Sequence, residues 1–355
     1  MNSIDDTSPF FSECLDHVRW ASAVLVLIGH ARNLFFVPLK SVNDPNILEH
    51  LFYGITGFQN EAVICFFVIS GYLIGGKLLK YYQIARVPVA GYIIDRLVRL
   101  YIVLIPSFAL ALLAQSKGYC PSETLLDWGA NLIFLQHILA DTTQCNVPLW
   151  SLANEFWYYT IGLLVVLFLL KYKKSAVIGL IICILILLLD NFDRENVLLN
   201  LPIWCAGLFL IWSCSLRRYD PGLLVSGGIL LFAMIISRSH VADSMFIFRD
   251  FFTAFGIFLF LLSARNLKIP PIAPRFARFM SSFSFSLYLI HWPTLLLLRG
   301  SLPERNFQPN EPRFILIYIG ACITCLLIAY GFSLVTERNT MTVRSFARSV
   351  FMGKG

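Results

Sequence analysis

The first apolar stretch of the chain, residues 16–37, reads DHVRWASAVLVLIGHARNLFFV. Arg19 and His30 are 11 residues apart, about three turns of an α-helix, so both side chains project from the same side. At 1.5 Å per residue they stand roughly 16 Å apart along the helix axis. A histidine in a membrane span is unfavourable unless it faces protein or water, so His30 is a candidate functional residue. The alternative is an interior histidine that only bonds a neighbouring helix.

The composition is that of an integral membrane protein. Of the 355 residues, 57% are hydrophobic and 14% are charged, whereas soluble domains carry about a quarter charged residues. The acidic segment 1–17 lacks the basic start of a signal peptide, so we expect the first apolar stretch to stay in the membrane as a helix. The net charge of +7 does not by itself imply a nucleic-acid partner, and we expect none.

Apolar runs along the chain predict an all-α polytopic protein with about ten transmembrane helices. An even number of spans places both termini on one side. The positive-inside rule makes that side cytoplasmic, because most of the 28 lysines and arginines then lie there. The expected organisation is a cytoplasmic segment 1–17, a single membrane domain 18–337 and a basic cytoplasmic tail 338–355. The predicted spans are residues 18–37, 55–76, 93–114, 150–170, 175–190, 197–214, 221–237, 249–263, 282–298 and 313–335.

Seven polar residues of the predicted spans fall at a similar depth, toward the outer half of the membrane. Polar and ionisable side chains are unfavourable there without a partner, so the coincidence across four helices favours a functional site. Structural explanations stay open for single positions: Glu61 belongs to a loop if its span starts later, and Trp150 with its aromatic neighbours fits an interfacial belt. The seven residues are His30, Asn60, Glu61, Asn154, Glu155, Tyr288 and His291.

A second polar set, at the inner end of the spans, is basic and consists of Arg19, Arg96, Arg99 and Arg338. Arg96 and Arg99 are three residues apart and share one helix face. Two adjacent guanidinium groups suit a phosphate, which they bind through bidentate, charge-assisted hydrogen bonds. The alternative explanation is that these side chains reach the membrane interface and set the topology.

Two of the nine cysteines, Cys120 and Cys145, fall in the long segment 116–149 between the third and fourth predicted spans. This segment lies outside in the predicted topology, where an oxidising environment permits a disulfide. The sequence does not fix the distance between the two thiols, so the pairing stays open. We expect no metal site.

Five stretches, in order and at suitable spacing, resemble motifs of the membrane acyltransferase 3 family, which acylates cell-surface glycans and lipids. The resemblance runs from residue 12 to residue 340. Two positions depart from the pattern: Phe156 stands where a second acid often follows, and Asn339 stands where a proline is usual. The motifs are Asp16-x-x-Arg19 followed by His30; Phe66-Phe67-Val68-Ile69-Ser70-Gly71-Tyr72-Leu73-Ile74; Arg96-x-x-Arg99; Trp150-Ser151-Leu152-x-x-Glu155; and Ser286-Leu287-Tyr288-Leu289-Ile290-His291-Trp292-Pro293.

The resemblance implies an integral membrane O-acyltransferase of the bacterial inner membrane. Such an enzyme moves an acetyl or other short acyl group from cytoplasmic acetyl-CoA to a hydroxyl of a cell-surface or lipid-linked glycan. Arg19, Arg96 and Arg99 are then expected to bind the phosphates of CoA, with the pantetheine arm running through the bundle toward His30. The expected partners are acyl-CoA, the glycan acceptor and membrane lipid.

On this hypothesis His30 is either a general base on the acceptor hydroxyl or a nucleophile that carries the acetyl group. Glu155 is expected to orient the imidazole or to balance its charge. Tyr288, Asn154 and His291 are candidate donors to the developing oxyanion. The residues expected to bind the acceptor are Asn60, Glu61, Trp150 and Asn154.

Two other classes of protein also fit ten spans with a polar interior. One is a transporter or flippase for a lipid-linked sugar, and the other is a non-catalytic scaffold of surface-polysaccharide assembly. A sugar carrier does not need Arg19 and His30 on one helix face, nor the paired arginines. Incubation of the purified protein with labelled acetyl-CoA discriminates between the classes through donor binding or CoA release.

Overall fold

The computed structural model describes residues 8–170, 172–190, 193–213, 220–237, 246–302 and 307–352. Within these ranges the chain is all-helical, and the extended pairing consists of two isolated bridges, Phe36 with Phe307 and Gln136 with Ala140. The α-helices are α1 (Pro9–Phe35), α2 (Ile47–Ile55), α3 (Gln59–Gln83), α4 (Val89–Ser116), α5 (Leu125–Leu132), α6 (Leu149–Leu169), α7 (Lys173–Leu187), α8 (Val197–Trp212), α9 (Leu223–Ile236), α10 (Phe246–Asn266), α11 (Pro274–Ser281), α12 (Ser284–Gly300), α13 (Pro312–Val335) and α14 (Thr340–Phe351).

Five helical stretches among the described residues are long and apolar enough to cross a membrane, or six if a bent pair counts as one span. The bent pair is α11 with α12, which meet at 45°. α1 has 27 residues and is long enough to cross a hydrocarbon core of about 30 Å, but its polar side chains lower its hydropathy. The five stretches are Ile47–Gln83, Val89–Ser116, Leu149–Leu169, Ile247–Asn266 and Pro312–Phe351.

Helices occupy all ten predicted spans, but α7, α8 and α9 have only 15, 16 and 14 residues. The count of ten spans and the cytoplasmic location of both termini therefore stay predictions. The segment expected to be a basic tail contains α14, which packs on α4. Residues 1–7 and 353–355 of the predicted terminal segments, and residue 214 at the end of the sixth predicted span, lie outside the described residues.

α1 is the central helix of the bundle. It packs against α3, α10, α11, α12 and α13, and Ala23, Val26 and Leu27 in its middle are almost completely enclosed. A helix with neighbours on several sides can present polar residues to protein instead of lipid. The packing of α1 thus explains how this helix tolerates Arg19 and His30.

Two glycines allow α3 and α8 to cross in direct backbone contact. A Cβ added to Gly207 would lie 1.9 Å from the Val68 carbonyl oxygen, and one added to Gly71 would lie 1.9 Å from the Trp204 carbonyl oxygen. Small residues that permit such an approach are typical of helix pairs in membranes. The crossing also brings Trp204 to α3, where its indole N–H donates to Ser70 Oγ at 3.3 Å.

The segment between α4 and α6 is held by a disulfide between Cys120 and Cys145, whose Cα atoms are 5.3 Å apart. The same segment is bonded to α12: the Asn146 amide donates to the Leu289 carbonyl oxygen at 3.1 Å, and the Trp292 indole N–H donates to the Gln144 carbonyl oxygen at 3.0 Å. These bonds lie on either side of His291. The segment therefore fixes the part of α12 that carries this histidine.

We predict that Gly207→Ala destabilises the protein, because the new methyl group overlaps the backbone of α3. Overpacking of this kind is unfavourable by about 1–3 kcal/mol, and thermal unfolding in detergent should show a lower midpoint. Gly228→Ala is the matched control, because a Cβ at Gly228 in α9 meets no atom within 4 Å. Equal midpoints for the two variants would contradict the close α3–α8 contact.

Candidate functional site

A cavity of about 740 Å³ lies between α1, α3, α4, α6, α11, α12 and α14, within the usual size of ligand sites. We call it the basic cavity because six cationic side chains line it against two carboxylates, those of Glu155 and Glu337. The cationic residues are Arg19, Lys77, Arg96, Arg99, Arg278 and Arg344. The three arginines expected to bind a donor phosphate thus line the same cavity, whereas Arg338 lies over the Tyr330 ring, outside the lining.

Carboxylates neutralise only part of this positive charge. Arg99 pairs with Glu337 at 2.9 Å, and Arg19 is 3.9 Å from Asp16. Arg96 instead lies over the ring of Tyr159, with its guanidinium carbon 5.5 Å from the ring centre. In the described part of the chain no carboxylate oxygen lies within 4 Å of Arg96. An aromatic support keeps a guanidinium group in place without cancelling its charge, so Arg96 is available to an anion.

α11 forms one edge of the basic cavity and is held by the first turns of α1. The Glu13 carboxylate accepts hydrogen bonds from the backbone N–H groups of Ile272 and Ala273, and Ser281 Oγ donates to Asp16 at 2.8 Å. Burial alone would raise the pKa of Glu13, but these N–H donors outweigh it and lower the pKa. An ionised Glu13 therefore helps to hold the helix that carries Arg278.

Glu155 faces the basic cavity and not His30. Its carboxylate accepts hydrogen bonds from Ser70 Oγ at 3.0 Å and from the Tyr159 hydroxyl. In this structure Glu155 therefore does not contact His30, and its expected role in orienting the imidazole stays a prediction. The physical reason is packing: α6 presents this face to α3, while the face of α1 that carries His30 meets α12.

His30 pairs with His291. The His30 Nδ1 atom is 2.8 Å from His291 Nε2, and the two ring planes are nearly parallel, at 15°, with centres 5.1 Å apart. His291 Nδ1 contacts the carbonyl oxygens of Tyr288 at 2.8 Å and Leu287 at 3.1 Å. His291 is fully buried, whereas His30 is partly exposed.

These contacts define the protonation pattern of the pair. A carbonyl oxygen only accepts, so His291 Nδ1 carries a hydrogen and its Nε2 is the acceptor in the neutral ring. His30 Nδ1 must then donate to His291 Nε2, which leaves the lone pair of His30 on Nε2. A histidine fixed in this form can take a proton at a single defined atom.

Tyr288 stands between the basic cavity and the histidine pair. It lines the cavity, its ring centre is 6.0 Å from that of His291, and its hydroxyl lies 2.6 Å from Ser151 Oγ. Neither His30 nor His291 lines the cavity. Among the described residues, the structure therefore does not show the expected continuous passage from the arginines to His30.

None of the four residues expected to bind the acceptor lines the basic cavity. The Asn154 amide donates to the Glu195 carbonyl oxygen at 3.0 Å. The Glu61 carboxylate accepts from Ser237 of the segment that follows α9. Asn60 and Trp150 line a void of about 10 Å³, room for one water molecule. These residues were predicted to lie at a similar depth in the membrane, but the structure does not bring their side chains together at one site.

The lining of the basic cavity includes several residues that the sequence did not indicate. Ser70 and Tyr159 lie within or next to recognised motifs, and Glu337 precedes the arginine noted at the end of the last span. Lys77, Arg278 and Arg344 carried only a weaker signal, because basic residues near span ends also fit the positive-inside pattern. These additional lining residues are Ser70, Lys77, Tyr159, Arg278, Glu337 and Arg344.

The geometry predicts opposite tautomers for two histidines of the same helix. His30 should carry its hydrogen on Nδ1, whereas His17 should carry it on Nε2, because His17 Nδ1 accepts from the Trp20 indole N–H at 3.0 Å. NMR of isotope-labelled histidine at neutral pH distinguishes the two forms, with His17 as the internal reference. His291→Phe should remove the preference at His30 only. A hydrogen on His30 Nε2 in the unmodified protein would contradict the pairing.

Comparisons with known proteins identify a family and a relative that this chain resembles. A profile of the acyltransferase 3 family, described as an acyltransferase domain, matches residues 12–334. An O-acetyl transferase of Shigella phage Sf6 is 26% identical over 231 residues, which is 61% of this chain and 65% of that protein, slightly less than two thirds of its length. No solved structure matches. Because the family profile covers nearly the whole chain, the protein belongs to the acyltransferase 3 family.

Proposed function

We propose that this acyltransferase is an integral membrane O-acyltransferase. It moves an acetyl or other short acyl group from cytoplasmic acyl-CoA to a hydroxyl of a cell-surface or lipid-linked glycan. The observation that carries the proposal is the placement of an incompletely neutralised basic cavity near a histidine pair of defined tautomer. The similarity to a phage O-acetyl transferase supports the choice of a hydroxyl as acceptor.

The basic cavity suits the donor in size and charge. Arg96 and Arg99 provide guanidinium groups on one helix face for the phosphates of CoA, and Arg19 lies on the neighbouring wall. The deeper wall is apolar, with Phe66, Phe67 and other side chains suited to the uncharged pantetheine arm. In this arrangement the thioester lies at the Tyr288 end of the cavity.

The chemical step assigned to His30 is proton transfer at Nε2. As a general base, it takes the proton from the acceptor hydroxyl while that oxygen forms a bond to the thioester carbonyl carbon. The carbon–sulfur bond then breaks, and the same proton passes to the leaving thiolate of CoA. In the acyl-enzyme form of the reaction, His30 Nε2 attacks the thioester carbonyl carbon, the carbon–sulfur bond breaks and CoA leaves as the thiolate. The acceptor oxygen then forms a bond to the acetyl carbon, the bond to Nε2 breaks, and the proton of the hydroxyl passes to the thiolate. His291 holds the ring in both forms.

Tyr288 has two roles in this proposal. Its hydroxyl is the candidate donor to the oxyanion, because Tyr288 lines the cavity and lies next to His291. Its side chain also has to shift in this proposal, since neither His30 nor His291 lines the cavity. The hydroxyl contacts Ser151 Oγ at 2.6 Å and donates to the Pro148 carbonyl oxygen at 3.3 Å, and neutral hydrogen bonds of this kind contribute about 0.5–1.5 kcal/mol each. Binding of the donor can supply that much free energy.

A flippase for a lipid-linked sugar is the second candidate, because a sugar diphosphate also requires cations. That function gives no role to the His30–His291 pair, whose inner atoms are held in a defined hydrogen-bonding pattern. Release of free CoA from acetyl-CoA by the purified protein in the presence of an acceptor separates the two functions, because a flippase releases none.

We predict that Arg96→Ala weakens CoA binding by about tenfold or more, since hydrogen bonds to charged groups contribute about 1.5–3 kcal/mol. Pantetheine, which has no phosphate, should bind the variant and the unmodified protein equally. Titration calorimetry in lipid nanodiscs measures both ligands. Arg338→Ala is the matched control, because Arg338 does not line the basic cavity. Unchanged CoA affinity in Arg96→Ala would refute the phosphate role.

A further inference from the structure

Asp95 lies in the second turn of α4 and is 2% exposed. It does not line the basic cavity, so it cannot contact a molecule bound there. A carboxylate this deeply buried is strongly unfavourable unless cations and hydrogen-bond donors surround it. Its partners therefore indicate what it does for the protein.

Three cationic side chains surround Asp95. Lys77 Nζ lies 2.8 Å from Oδ2, Arg348 Nη2 donates to Oδ1 at 2.7 Å, and Arg344 Nε is 3.3 Å from Oδ1. Lys77 comes from the end of α3, and the two arginines come from α14. The carboxylate thus joins α3, α4 and α14 at one point.

Two of these three partners, Lys77 and Arg344, line the basic cavity, whereas Arg348 does not. One carboxylate among three cations leaves a surplus of positive charge on the cavity side. Pairing therefore fixes the position of the two cavity cations without cancelling the charge that an anionic ligand would need.

The packing of α14 makes its ion pairs with Asp95 important for the position of this helix. Within the described residues α14 packs on α4 and on the short turn of residues Glu337–Asn339 before it. Phe346 and Val350 on another of its faces are largely exposed, as expected of a helix that lies along a membrane surface. The ion pairs to Asp95 are thus the polar link that holds Arg344 at the cavity.

We infer that Asp95 is a positioning residue of the donor site: it holds Lys77 and Arg344 in place to bind a phosphoryl group of the acyl donor. This inference rests on the proposed function. Lys77 and Arg344 extend the cationic lining beyond Arg96 and Arg99, so a donor with several phosphoryl groups can use both sets. Asp95 acts only through the cations and takes no part in acyl transfer.

Asp95→Asn tests the inference, with Asp127→Asn, the acidic member of the capping box of α5, as the matched control. We expect about a tenfold loss of CoA affinity in Asp95→Asn, comparable with the loss of a supporting carboxylate at a metal site. Pantetheine affinity should not change. In turnover assays the KM for acetyl-CoA should rise while kcat at saturating donor stays near that of the unmodified protein. Asp127→Asn should change none of these quantities.

A protein that lacks the two cavity cations distinguishes a positioning role of Asp95 from a general structural effect of its substitution. In a Lys77→Met, Arg344→Met protein, adding Asp95→Asn should cause no further loss of CoA affinity, because the cations through which Asp95 acts are already absent. An equal loss in both backgrounds, or unchanged CoA affinity in the single variant, would overturn the inference. Absence of CoA binding to the unmodified protein would overturn the proposed donor as well, so the two failures are distinguishable.

Discussion

Charge pairing at one end of a largely apolar bundle is the constraint on which the rest of this structure depends. Ionised groups are unfavourable in such surroundings unless opposite charges or hydrogen-bond donors meet them. Glu337 meets Arg99, and Asp95 meets the cations of α3 and α14. The carboxylates thus serve to join helices, and the cations left over face one cavity. The positive charge of the site follows from how the helices are held together.

In the part of the chain that the structure describes, the histidine pair is held by hydrogen bonds and not by ion pairs. His30 and His291 are held by hydrogen bonds that end on carbonyl oxygens of α12, and no carboxylate of the described residues contacts the pair. A neutral, oriented imidazole can act as an acid or a base. Unlike a carboxylate, it does not pair with the cations that an anionic ligand would need. Tyr288 lines the cavity and its ring centre is 6.0 Å from that of His291, so this residue borders both regions.

The sequence predicted the helical class, helices at the ten expected spans and the grouping of Arg19, Arg96 and Arg99, because periodicity and helix spacing are local properties. It could not predict which helix faces meet. Glu155 and His30 were placed at similar depth, yet Glu155 bonds Ser70 while His30 bonds His291. Depth is readable from position along a span, whereas the direction of a side chain around the bundle depends on tertiary packing.

The central claim is that His30 carries out acyl transfer from a donor held by the neighbouring cations. The most direct test compares the unmodified protein with His30→Ala in proteoliposomes supplied with radiolabelled acetyl-CoA and acceptor glycan. The account predicts that the variant binds CoA with unchanged affinity but releases no CoA and transfers no label. Label transfer by His30→Ala at the rate of the unmodified protein would contradict it.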